Sequence, residues 1–91
     1  MYDRSDDVNK VLISVFVPAI EMEFESYVPI NRKVGTIKKY ILSSLSQLSD
    51  GSYEKDMNSV TFIDKSTGKI FENNDNVKDS GITNGTKIVI I

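Results

Sequence analysis

The chain has 91 residues, 40% of them hydrophobic and 26% charged, with a net charge of −2 and neither cysteine nor histidine. That length supports one hydrophobic core and not two. The composition removes disulfides, the commonest general base, the thiol nucleophile and the usual zinc ligands, and interspersed charge offers no basic face to nucleic acid.

Residues 1–8 (Met1-Tyr2-Asp3-Arg4-Ser5-Asp6-Asp7-Val8) are polar and mixed in charge, with too few apolar groups to offset the entropy of ordering. They read as a disordered N-terminal tail ahead of one domain over 9–91. The tail has no hydrophobic region of the signal-peptide kind, and no run approaches the ~20 apolar residues that cross a bilayer. The expectation is a cytoplasmic protein without direct membrane insertion.

From Lys10 to Val17, Val11, Ile13, Val15 and Val17 alternate with Leu12, Ser14 and Phe16, the period of a half-buried strand whose Ser14 face is the outer one. Pro18 ends it. Glu21-Met22-Glu23-Phe24-Glu25 then alternates strictly, with Met22 and Phe24 inward and three carboxylates outward, so the two strands form an antiparallel hairpin that Pro29 closes. Residues 34–48 carry a helical period. At about 100° per residue, Val34, Ile37, Ile41, Leu45 and Leu48 fall in an arc of about 80°, opposite Lys39, Ser43 and Gln47. Asn31 is the nearest capping residue upstream, and Gly51 supplies the left-handed exit.

After a polar loop, residues 60–63 read as a short strand, 64–68 as a turn and 69–71 as a shorter strand. Residues 72–76 hold no apolar side chain and read as an exposed loop; 77–82 suit one 3₁₀ turn. Thr83-Asn84-Gly85-Thr86 is a tight turn, and Lys87-Ile88-Val89-Ile90-Ile91 is an almost wholly apolar run, apolar on both faces, which belongs at the middle of a sheet.

Little here points to catalysis. Glu21, Glu23 and Glu25, about 7 Å apart along a strand, read as a solvated face that keeps an edge from pairing. Asn73-Asn74-Asp75-Asn76 lacks the central glycine and closing glutamate of a calcium loop. Gly81 and Gly85 are isolated turn residues, not a phosphate cradle. Arg32, Lys33, Lys38 and Lys39 read as solubilising charges. No catalytic residue, metal or cofactor is expected.

Phe62-Ile63, Gly68-Lys69-Ile70, Val77-Lys78-Asp79-Ser80-Gly81-Ile82 and the run from Thr86 to Ile90, with Val34, Ile37 and Ile41, resemble ubiquitin. The fold implied is α+β, a β-grasp with a mixed sheet and one main helix across it. Asp79-Ser80-Gly81-Ile82-Thr83-Asn84-Gly85 and Tyr27-Val28-Pro29-Ile30 with Lys33-Val34 resemble the YukD/EsaB group, small bacterial ubiquitin-like proteins attached to type VII secretion systems. That resemblance implies a non-catalytic protein-binding module, accessory or regulatory to such a system in a Gram-positive bacterium, with a component of the secretion machinery as partner. Conjugation is not expected, because the sequence reaches Ile91 without the two glycines that activation uses. The alternatives are a cytoplasmic ubiquitin-like domain of a membrane subunit, or a conjugatable modifier trimmed at its tail.

In this fold the first strand lies beside the last. With Ile88, Ile90 and Phe62 toward the helix, Val89, Ile91 and Ile63 turn outward next to Leu12 and Phe16. A contiguous patch of Leu12, Phe16, Ile63, Val89 and Ile91 is the expected protein-interaction surface. Its rivals are a homodimer through the same face, and internal cover by the tail or by the loop carrying Tyr53 and Met57.

Overall fold

A computed structural model describes residues 9–91, so the expected tail at 1–8 lies outside the described residues. The alternation at the start of the chain becomes β1 (Lys10–Val17), a 3₁₀ turn at Pro18–Ile20, and β2 (Met22–Pro29). Antiparallel register sets Val15 opposite Phe24 and Val17 opposite Met22 on the inner face, Ser14 opposite Glu25 and Phe16 opposite Glu23 on the outer. Glu21 leaves the acidic row expected of it. It takes the left-handed position of the turn, at φ 50°, and its N–H donates to the carbonyl of Pro18.

Helix α1 (Val34–Leu48) begins at the expected place but not by the expected cap. Among the described residues, no side-chain capping bond closes its first turn, Asn31 included. Instead the N–H of Val34 donates to the carbonyl of Asp75 (2.8 Å) and that of Gly35 to the carbonyl of Asn73 (2.9 Å), so two orphan donors are met by a loop forty residues later. The N–H of Val77 returns to the carbonyl of Arg32 and that of Lys78 to Ile30, which fixes the loop from its other side. Gly35 permits the approach, since a Cβ there would stand 3.2 Å from the Asn73 oxygen. At the other end Asp50 and Gly51 both take positive φ, and the N–H of Gly51 donates to Ser46.

Strands β3 (Phe62–Asp64) and β4 (Lys87–Ile90) complete a sheet of order β2-β1-β4-β3. The final strand is central, parallel to β1 and antiparallel to β3. The strand expected over 69–71 reduces to a single bridge between Ile63 and Ile70. The Asp64 carboxylate accepts from the N–H groups of Ser66 and Thr67, Gly68 turns the chain at φ 77°, and after Phe71 the backbone leaves for the helix start. The 3₁₀ turn at Val77–Asp79 forms as expected.

The core lies between α1 and the inner sheet face, with Ile13, Val15, Ile88 and Phe62 under Ile37, Ile41 and Leu45. The buried helix face is wider than the stripe, taking in Gly35, Lys38 and Leu42. Leu48 is a correction. It is 57% exposed, because the last turn runs beyond the core and reaches only the edge beside Phe24. Leu45→Ala should therefore lose about 2–5 kcal/mol in urea unfolding, and Leu48→Ala less than about 0.5. Gly35→Val should lower stability by about 1–2 kcal/mol by pushing the Asn73 carbonyl off the helix start.

Candidate protein-interaction surface

The face of the sheet opposite α1 is built in rows. Register places Glu23 beside Phe16, Phe16 beside Val89, Val89 beside Ile63, and Ile63 beside Ile70. Inner-facing neighbours of these residues, Val15, Val17, Ile88, Ile90, Phe62 and Phe71, are buried, so the row itself points outward. At about 4.8 Å per strand, Phe16 to Ile70 is an apolar band about 14 Å long. Phe16, Ile63 and Val89 are half-buried by one another, whereas Ile70 is 52% and Ile91, two residues beyond Val89, 63% exposed.

The next row is polar. Glu25, Ser14 and Lys87 lie side by side, and the N–H of Lys65 donates to the Lys87 carbonyl (2.8 Å), bringing a second lysine alongside. Leu12 falls in a third row, four residues and about 13 Å from Phe16 along the strand. Its neighbour is Tyr27, and its N–H donates to the side-chain oxygen of Asn84 (2.7 Å). Four of the five expected residues thus share one patch. Leu12 stands apart behind the charged row, so the expected contiguity is broken there. Ile70 was missed, although its alternation with Phe71 is the signal that would have found it.

The loop carrying Tyr53 and Met57 does not cover this face. Tyr53 is buried in the core, where burial raises its hydroxyl pKa, and the Tyr53 N–H is held by the Ser49 hydroxyl. Met57 lines a groove with Lys39, Leu42 and Ser46 on the helix side. Among the described residues, no group of three acidic, histidine or cysteine side chains is placed to hold a metal ion, and no helix is long and apolar enough to cross a membrane.

No protein-family model matches the chain, and no curated protein matches it in sequence. Solved structures do match. The N-terminal ubiquitin-like domain in the 4931431F19Rik protein aligns with a TM-score of 0.70 at 23% identity, over 91% of this chain and 74% of that one. The UBL domain of Plasmodium falciparum Dsk2 aligns at 0.65 and 18% identity, over 90% and 99%. A chain of the MycP5-free ESX-5 inner membrane complex aligns at 0.70 and 10% identity, over 91% of this chain and 21% of that one. With the central closing strand and the single helix, these likenesses define the fold as the ubiquitin-like β-grasp.

Among the basic residues near the helix start, Lys38 is not the solubilising charge expected of it. It is buried at 5% exposure, with Nζ 5.3 Å from the centre of the Phe62 ring. Burial lowers its pKa from the ordinary 10.5, and Glu72 partly opposes that shift. Since the folded pKa lies below the unfolded one, the unfolded chain binds more protons between the two values, and stability contributed by this site rises with pH through that window. Lys38→Met should then unfold at an equal or higher urea midpoint than the parent at about pH 7, and the margin should narrow toward about pH 10. Tyr53 titrates in both proteins and drops out of the difference.

Proposed function

We propose that the protein is a non-catalytic ubiquitin-like module that docks a protein partner on the outer face of its sheet, as an accessory or regulatory component of a type VII secretion system. The observation that carries this reading is the band of Phe16, Val89, Ile63 and Ile70, continued by the exposed Ile91, on the face opposite the helix. Apolar bands of this kind on small domains mark binding surfaces. Leu12, beside Tyr27, lies beyond the polar row and outside this band. A chain without histidine or cysteine is poorly equipped for acid–base or thiol chemistry, which supports a binding role. The secretion assignment draws on the YukD/EsaB-like segments around Tyr27 to Val34 and Asp79 to Gly85, and on the ESX-5 likeness. A cytoplasmic location in a Gram-positive bacterium goes with it.

The ESX-5 likeness also favours a second reading, a cytoplasmic domain of a membrane subunit, because the matched region is 21% of a longer chain. Both readings place the partner in the same assembly. A reading frame continuing into membrane-spanning helices selects the second.

Ile63→Asp with Val89→Asp should weaken capture of the membrane components of the secretion system by at least about tenfold, a loss of about 1.4 kcal/mol. The circular dichroism of the double variant should match the parent. Leu12→Asp, beyond the polar row, should change capture by less than about threefold. Unchanged capture by the folded double variant removes the band from the proposed function.

A further inference from the structure

The outer face is apolar at its centre and oppositely charged at its two sides. On the β2 side stand Glu23 and Glu25; on the β4 and β3 side stand Lys87 and Lys65, and all four are exposed. Within the chain these charges sit two or three strands apart, about 10–14 Å, and among the described residues none of the four side chains makes an ion pair. The face therefore carries an unspent dipole across its strands.

We infer that this face accepts a second copy of the same chain, packed sheet to sheet about a two-fold axis that runs parallel to the strands between β1 and β4. The inference rests on the reading of this face as a docking surface and names an occupant for it. A two-fold interface must be self-complementary, each patch meeting the same patch turned over. Rotation about that axis lays β2 over the partner's β3 and β1 over its β4. Phe16 then meets Val89 of the partner subunit, Glu25 meets the partner's Lys65, and Ser14 lies over the partner's Lys87. The other in-plane axis, perpendicular to the strands, would stack β2 on β2 and set carboxylates against carboxylates. Aligned packing of two twisted sheets about 10 Å apart accommodates the first arrangement.

Four strands about 4.8 Å apart and three rows about 7 Å deep give roughly 400 Å² per copy. That is about half the area of a standard interface. The dimer is accordingly weak, forms at high protein concentration, loosens with salt, and competes with a secretion component for the same face.

Sedimentation equilibrium of the full chain over about 10 μM to 1 mM tests this. The parent should dimerise within that range. Glu23→Lys with Glu25→Lys should weaken the dimer at least tenfold, as should Lys65→Glu with Lys87→Glu, since each sets residue 25 against a like charge at residue 65 of the partner subunit, while residue 23 lies over the partner's Ile63 and residue 87 over the partner's Ser14. An equimolar mixture of the two double variants should recover parent-level dimers, and so should one chain carrying all four changes. Circular dichroism on each variant verifies folding. A parent that stays monomeric, reversals that leave the constant within twofold, or a mixture that fails to recover overturns the inference. If the parent is monomeric while Ile63→Asp with Val89→Asp still abolishes capture, the docking surface stands and only its self-pairing falls.

Discussion

Strand β4 is hydrogen-bonded along both of its edges, to β1 in parallel and to β3 antiparallel, and the rest of the molecule is placed by that double pairing. A strand held on both sides has one register. Once Ile88 and Ile90 enter the core, Val89 has no choice but to face out between Phe16 and Ile63, and Lys87 to face out beside Ser14. The inner face fixes where the helix lies. The outer face inherits its pattern of one greasy row and one charged row from the same alternation, so stability and surface chemistry are two readouts of a single register.

Much of this was legible because it is periodic. The stripe of Val34, Ile37, Ile41 and Leu45 announces the helix, and the apolar run of Ile88 to Ile91 after Lys87 announces a central strand. What was not legible depends on contacts distant in sequence. Leu48 sits at a buried angle on the helix but past the end of the core, and no angular argument contains that length. Lys38 lies just outside the narrow stripe, yet the sheet embraces a broader arc, and its methylenes are enclosed with the ammonium against Phe62. The helix cap comes from carbonyls of Asn73 and Asp75, groups every residue possesses and no residue advertises. Leu12 and Phe16 share a face in the sequence, but adjacency on a sheet also needs the same row, and Ser14 with Lys87 occupies the row between them.

The likeness to solved structures extends to the fold alone. A ubiquitin-like β-grasp is a scaffold that hosts many partners, and the specific work lies in side chains displayed on it. Here the display has a direction, acidic toward β2 and basic toward β3. The central residue of the displayed band, Val89, belongs to the strand paired on both edges. A surface of this kind is preorganised, and association need not order it.

The carbonyl cap has a bearing on how the molecule comes into being. Until residues 73 and 75 are available, the amides of Val34 and Gly35 have only water for company, and until 87–90 arrive the hairpin has nothing on its second side. A ribosome must release nearly the whole domain before either condition is met. The contacts that complete the helix start and the second side of the hairpin are thus all distant in sequence, the arrangement whose loop-closure entropy slows folding.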